Sequence, residues 1–245
     1  MHILVINPNT TASMTAKIGE AARAVAAPGT VITAVQPANG PVSIEGYYDE
    51  AFCIPGVLEE IARGEANGVA GHVIACFDDT GLEAARSLAR APVVGIGEAA
   101  YHVASMLGHR FSVVTTLSRS IPCLEVNLLK YGLDRRCARI RAAEVPVLEL
   151  ENPASDAARR IGEEIERAKA EDHADAIVLG CAGMADLAAV LSERHGLPVV
   201  DGVAAAVKLV EGMASIGLKT SKRGGYAPPG PKVYRGIFAD AAPKG

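Results

Sequence analysis

Short apolar runs alternate along the chain with longer stretches in which apolar residues recur every three or four positions. The runs His2–Ile6, Thr30–Val35, Val69–Ala75, Pro92–Gly95, Phe111–Thr115, Ala138–Val145, Ala176–Gly180 and Pro198–Asp201 predict strands. Runs of this kind, apolar on both sides rather than every second residue, suit a parallel sheet buried on both faces. The stretches between them predict helices over roughly 12–27, 48–63, 79–90, 97–108, 118–132, 154–172, 184–195 and 203–216. In the second of these, Ile54, Leu58 and Ile61 fall on one face. Thr10 or Thr11 is placed to cap the first helix.

The pattern runs twice. "PVVGIGEAA" (92–100) matches "PVVDGVAAA" (198–206) at an offset of 106, and Cys76 and Cys181, each at the end of an apolar run, are 105 residues apart. Strand–helix alternation repeated in this way predicts an α/β fold of two pseudo-symmetric lobes. Each is a parallel sheet flanked by helices, and the active site lies in the cleft between them. Helix 203–216 is expected to cross back, so that 1–96 with 203–218 forms the first lobe and 97–202 the second. The remainder, 219–245, is a Gly/Pro-rich basic tail. It carries Lys219, Lys222, Arg223, Lys232, Arg235 and Lys244 against Asp240 alone. Such a segment serves as a surface strap, a subunit contact or a lid over the cleft.

With 245 residues, 49% of them hydrophobic, the chain can bury a sizeable core and is not a disordered polymer. Aromatic residues amount to 4%, Trp is absent and the formal net charge is −4, so neither a stacking platform nor a field for nucleic acid is expected. The beginning of the chain lacks the basic region of a signal peptide, and no apolar run approaches membrane-spanning length. The expectation is a cytoplasmic protein with no membrane partner.

Five cysteines, Cys53, Cys76, Cys123, Cys137 and Cys181, fall at irregular spacings without a Cys-x-x-Cys pair or a zinc pattern, so free thiols and no metal are expected. Cys53, Cys123 and Cys137 read as small core hydrophobes. Cys76 and Cys181 differ, because both end strands whose carboxyl ends face the ligand site of a parallel sheet. A helix start after each would supply backbone N–H groups and lower the thiol pKa. Two thiols facing each other across a cleft suit one reaction. One thiolate removes a proton from carbon on one face, and the opposite thiol delivers a proton to the other.

"INPNTTASMT" (6–15), "ACFDDTGL" (75–82), "PVVGIGEAA" (92–100), "FSVVTT" (111–116), "LGCAGM" (179–184) and "PVVDGVAAAV" (198–207), taken in that order, make the chain similar to the Asp/Glu/hydantoin racemase superfamily, most closely its hydantoin racemase branch. The resemblance implies a cofactor-independent racemase, a likeness to cytosolic homo-oligomers, and Cys76 and Cys181 as the catalytic pair. Amino-acid racemases of this group usually carry Asp-Ser-Gly after the first strand and Cys-Thr-His at the second cysteine. Here Asn7-Pro8-Asn9-Thr10 and Cys181-Ala182-Gly183 stand instead. No charged clamp for a zwitterion is evident, and a neutral 5-substituted hydantoin is the expected small-molecule substrate. Allantoin, itself a 5-ureidohydantoin, is the alternative. A maleate-type cis–trans isomerase and a two-lobed small-molecule binding protein are more distant ones.

Neutral donors should hold the ring and its enolate: Asn9, Thr115, Thr116 and the backbone N–H groups after each cysteine, at Phe77 and Asp78 and at Ala182 and Gly183. Asn9 is equally a turn residue, and Thr115–Thr116 could cap the next helix with Ser118. Asp78 and Asp79 either tune Cys76 or cap the helix that follows them. Ile44 and Tyr47, in Ser43–Tyr47, are candidates for the wall against the 5-substituent. Gly95-Ile96-Gly97-Glu98-Ala99-Ala100 imitates a dinucleotide fingerprint, but Thr115 and Thr116 stand where a ribose-binding acid is required, so no nucleotide cofactor is expected. His72, at the far end of its strand, is structural.

Overall fold

Buried on both faces, the apolar runs pair side by side as parallel strands in a computed structural model that describes residues 1–152 and 154–243. Lys244 and Gly245 of the tail lie outside the described residues. The first sheet runs β2 (Val31–Val35), β1 (His2–Ile6), β3 (Gly71–Ile74), β4 (Val93–Gly95), and the second runs β6 (Cys137–Ala142), β5 (Phe111–Thr115), β7 (Ala176–Gly180), β8 (Val199–Asp201). All six strand pairings are parallel, and the two orders are the same once the repeat is allowed for.

The helices are α1 (Ala12–Val25), α2 (Tyr47–Ala66), α3 (Leu82–Leu88), α4 (Ile96–Leu107), α5 (Ile121–Tyr131), α6 (Ala157–Glu171), α7 (Ala188–His195) and α8 (Gly202–Ser215). Four, α3, α5, α6 and α7, begin three or four residues later than the pattern predicts. α3 waits until Leu82 because Asp79 and Gly81 both take positive φ, +53° and +75°, and break helical continuity after Cys76. α7 is preceded by a 3₁₀ stretch, Ala182–Leu187, that starts directly at Cys181. β6 stops at Ala142, short of the expected Val145, shortly before Glu144 at φ +54°.

Three apolar clusters account for the packing. Leu4, Ile6, Val57, Ile61, Ile74 and Leu82 join the outer face of the first sheet to α2 and α3. Val114, Ile161, Ile165, Ile177 and Leu179 join the outer face of the second sheet to α6. The largest cluster draws on the inner faces of both sheets and on α1, α4 and α8, with Ile18, Tyr101, Phe111, Val203 and Val207 fully buried. Tyr101 sits at its centre, edge-on to Phe77 and stacked on Phe111. α8 packs on β3 and β4, while α4 packs on β7 and β8. That exchange needs close backbone approach. A Cβ at Gly71 would overlap Val210 of α8, and one at Gly202 would sit 2.5 Å from the Ile96 carbonyl oxygen, where the starts of α8 and α4 meet. Joined through one core, the two sheets bring the carboxyl ends of their central strands to a common opening.

Candidate active site

Four strand ends converge there. β1 leads into Asn7, Pro8 and Asn9, β3 into Ala75 and Cys76, β5 into Thr115 and Thr116, and β7 into Cys181. All of these line one cavity. β1 and β5 are equivalent in the repeat, as are β3 and β7, so each sheet contributes one polar turn and one cysteine. Of the residues expected from sequence, Cys76, Cys181, Asn9, Phe77, Asp78, Thr115, Thr116, Ala182 and Ile44 line the cavity. Three others lie elsewhere. Asp79 turns away to α4, Gly183 lies behind Cys181, and Tyr47 is 57% exposed at the start of α2.

Asn9 takes the turn role considered for it, whereas Thr115 does not cap the following helix. Asn9 Oδ1 accepts from Thr11 N (2.9 Å) and Asn7 Nδ2 (2.9 Å), so it closes the turn before α1, and no threonine side chain caps that helix. Asn9 Nδ2 meets only the weak acceptor Met14 Sδ at 3.2 Å, leaving donor capacity at the cavity. Thr115 Oγ1 donates to the Gly180 carbonyl (3.1 Å) and ties β5 to β7 beneath Cys181. Ser118 caps nothing with its side chain.

Asp79 is the largest correction. It caps neither α3 nor the cysteine loop. Its carboxylate reaches across to the start of α4, accepting from Gly97 N (3.0 Å) and Glu98 N (2.7 Å), and takes a third bond from the Tyr131 hydroxyl (2.7 Å). Burial raises the carboxyl to about 7 against the pull of those donors. In the second half, Asp201 does the same for α8 from its own N-cap position, accepting from Val203 N (3.0 Å) and Ala204 N (2.8 Å). The repeat aligns Gly95 with Asp201. A Cβ at Gly95 would fall inside the Asp79 carboxylate, and one at Gly97 would strike the Phe77 carbonyl oxygen and Asp79. The Gly-x-Gly motif is therefore a cradle for an internal carboxylate, which occupies the helix N-terminus a dinucleotide phosphate would need.

The thiols also depart from expectation. Burial and the Asp78 carboxylate push Cys76 well above its ordinary value, and burial pushes Cys181 up to about 11. No full helix starts immediately after either residue, so the lowering is local: the Thr80 hydroxyl (3.5 Å to Sγ) and the Asp78 N–H at Cys76, and the Gly183 N–H at Cys181. Both shifts favour the thiol over the thiolate. Cys53 and Cys123 are buried as expected, but they are not remote from the site. Glu50, Asp78 and Cys123 place ligand atoms within 4.8 Å of one another, and burial beside Glu50 raises Asp78 to about 8. A metal requires deprotonated ligands, and the upward shifts of Glu50, Asp78 and Cys123 make this trio a poor fit for one.

Sequence reading missed Met14, Ser120 and Val147, which also line the cavity. They come from α1, a 3₁₀ turn before α5 and the 147–151 turn, and only tertiary closure brings them in. Val147 N is held by Glu45 Oε1 (3.0 Å), which joins the Ile44 loop to that turn as an apolar wall. His72 is buried and pairs with Glu65 (2.9 Å), well inside the first sheet.

Comparison with known proteins adds the following. The family model described as Asp/Glu/Hydantoin racemase matches residues 3–210. A hydantoin racemase of Rhizobium meliloti is 52% identical over 236 residues, covering 96% of this chain and 98% of its own. A solved structure of allantoin racemase from Klebsiella pneumoniae superposes with a TM-score of 0.97 at 51% identity, covering 99% of both chains. Glutamate racemase from Francisella tularensis, at 15% identity and a TM-score of 0.65, shares the fold.

Proposed function

The chain belongs to the Asp/Glu/hydantoin racemase family and is a racemase, and from that premise we propose that it interconverts the D and L forms of 5-substituted hydantoins by two-base proton transfer between Cys76 and Cys181. The observation that carries this reading is that the two thiols end equivalent strands of opposite sheets and line the same cavity.

One thiol, as thiolate, takes the proton from the ring carbon bearing the substituent. The electron pair moves into the adjacent carbonyl, giving an enolate, and the opposite thiol protonates that carbon on its other face. The ring is restored with inverted configuration, and the proton has passed from one sulfur to the other, so the enzyme ends ready for the reverse direction. No electron leaves the system, so no cofactor is required. Asn9 Nδ2, the Thr116 hydroxyl and the backbone N–H groups after each cysteine are the donors for the ring oxygens and the developing enolate. Ile44, Phe77 and Val147 form the apolar side. A free amino acid is a poor fit, because among the described residues no cationic side chain lines the cavity to hold its carboxylate.

Allantoin is the second reading, favoured by Asp78. Its carboxyl group lies in the wall near the sulfur of Cys76 and can hydrogen-bond to ureido N–H groups. Loss of optical rotation from pure D- and L-5-alkylhydantoins, allantoin and aspartate, measured side by side, ranks the substrates, with aspartate expected slower than the hydantoins by orders of magnitude. Comparable rates on aspartate would remove the substrate assignment. Cys76→Ser and Cys181→Ser should each abolish racemisation. If exchange of the α-hydrogen in D2O survives, the two variants should act on opposite enantiomers. Near wild-type racemisation by either variant would remove the two-base mechanism.

A further inference from the structure

Each cysteine ends a strand of one sheet, but side chains of the other half hold the segment that follows it. Behind Cys76, the buried Asn127 of α5 donates from Nδ2 to the Asp78 carbonyl (2.8 Å). One turn on, the Tyr131 hydroxyl donates to Asp79 (2.7 Å), and between them Lys130 pairs with Glu83 of α3. Behind Cys181, the 3₁₀ stretch Ala182–Leu187 packs on α1. Lys17 of α1 pairs with Asp186 of that stretch (3.0 Å), and its Nζ donates to the Leu150 carbonyl (3.3 Å). α1 follows β1 and α5 follows β5, so the same helix of the repeat reaches the opposite half in both cases.

We propose that Asn127 and Lys17 are positioning residues for opposite bases: Asn127, with Tyr131, sets Cys76, and Lys17 sets Cys181. The inference rests on Cys76 and Cys181 as the paired acid and base. The Asp78 carbonyl belongs to a turn in which Asp79 and Gly81 take positive φ, so no helical ladder fixes it and the Asn127 bond does so instead. Asp186 lies on the stretch that starts directly at Cys181, so its pairing with Lys17 holds that stretch against α1. The Lys17 charge also favours the thiolate of Cys181. Proton transfer to and from carbon needs the base at a set distance and angle, so a loosened segment slows the base it carries.

The test uses the full chain. Asn127→Leu and Lys17→Met should each lower kcat/KM about tenfold or more. The loss is equal for both enantiomers, because mirror-image substrates have equal free energy. The isotope effect of α-deuterated substrate separates the two variants. When one base is displaced, its own proton transfer becomes rate-limiting. The isotope effect on kcat/KM should then rise for the enantiomer that this base deprotonates. It should fall for the mirror image, whose slow step becomes protonation. Asn127→Leu and Lys17→Met should therefore raise it for opposite enantiomers. Tyr131→Phe, which keeps the ring, should act as Asn127→Leu does. Asp186→Asn, which keeps the Lys17 charge, should act as Lys17→Met does. Alkylation reads position without the reaction: Asn127→Leu should raise iodoacetamide labelling of Cys76 about fivefold and leave Cys181 unchanged. Near wild-type racemisation in Asn127→Leu or Lys17→Met, isotope effects that stay unmoved, or a rise for the same enantiomer in both would overturn the positioning roles. Racemisation by Cys76→Ser or Cys181→Ser would instead remove the two-base reading. Unchanged Cys76 labelling in Asn127→Leu would overturn the role of Asn127 even then.

Discussion

Exchanging residues 79 and 95 tests the claim that the two halves solve one capping problem in two ways. Asp79→Gly removes the acceptor of Gly97 N, Glu98 N and the Tyr131 hydroxyl. Loss of a helix cap costs about 0.5–2 kcal/mol, and an orphaned hydroxyl costs about 1 kcal/mol more. Glycine recovers part of this, roughly 1 kcal/mol, because residue 79 has φ +53°. The net loss is about 0.5–2 kcal/mol, a fall in Tm of about 1–8 °C for a chain of this size. Gly95→Asp alone should cost more, roughly 4 kcal/mol, since its Cβ meets the Asp79 carboxylate and its own carboxylate is buried beside a like charge. Together the changes should nearly cancel. Residue 95 has φ −83° and ψ 145°, the extended N-cap geometry of Asp201, and its carboxylate would reach Gly97 N and Glu98 N as Asp201 reaches Val203 N and Ala204 N. The double variant should lie within about 1 kcal/mol of wild type, a coupling of about 4 kcal/mol. Urea unfolding of the four proteins measures it. Single losses that add to within about 0.5 kcal/mol would refute the reasoning. Because the double variant loses the bonds by which residue 79 ties the Cys76 loop to the start of α4 and to Tyr131, racemase activity should stay depressed while stability returns.

Three further outcomes are expected. Inactivation by iodoacetamide should rise about tenfold per pH unit between pH 7 and 10, because burial pushes Cys181 up to about 11 and also raises Cys76 well above its ordinary value. Mass mapping should find Cys181 labelled first, and a plateau below pH 8 would contradict the buried-thiol picture. Thr80→Val removes the hydroxyl that faces Cys76 Sγ at 3.5 Å and should lower kcat/KM about tenfold or more, as expected for a hydrogen bond to a charged sulfur worth about 1.5–3 kcal/mol, with no effect on the rate of Cys181 alkylation. Dialysis against EDTA should leave activity intact, since the upward shifts of Glu50, Asp78 and Cys123 make that trio a poor cation site. Loss of activity restored by a divalent ion would count against this.

Both sheets and their connections are legible in the sequence because buried parallel strands leave continuous apolar runs and the repeat states each element twice. The cysteine pair is legible for the same reason: a residue at a strand end is placed by local structure alone. What escaped depends on contacts across the fold. Asp79 reads locally as a cap for the helix after it, yet its partners are 18 and 19 residues on, and Tyr131 is 52 residues away. A signal was present. The alignment sets Gly95 against Asp201, so α4 lacks the cap that α8 has, and an acid had to arrive from elsewhere. Nothing comparable announces Met14, Ser120 or Val147, which reach the cavity only when α1, α5 and the 147–151 turn close over it. Tyr47 fails for a simpler reason, since it begins α2 on the solvent side.

The two halves match in backbone and differ in charge. Cys76 faces the raised carboxyl of Asp78 and lies near a second thiol, Cys53, with the Thr80 hydroxyl as its side-chain donor. Cys181 has the Gly183 N–H and the field of Lys17. In the proposed mechanism this inequality cannot favour one enantiomer at equilibrium. Mirror-image substrates have equal free energy, so kcat/KM must be the same in both directions whatever the protein does. The inequality can act only on the enzyme between turnovers, where one thiolate and one thiol are needed and the thiolate settles at the less costly site, Cys181. The enantiomer whose α-hydrogen faces Cys181 then meets an enzyme already in its reactive form, while its mirror image waits for a proton to move from Cys76 to Cys181. Saturating rates for the two enantiomers should therefore differ, with KM differing by the same factor. Replacing Asp78 by Asn removes the acid beside Cys76, an acid that ionises at about pH 8, and should narrow the gap above that pH. A gap that widened would show that the resting thiolate is not set by the carboxylates around Cys76.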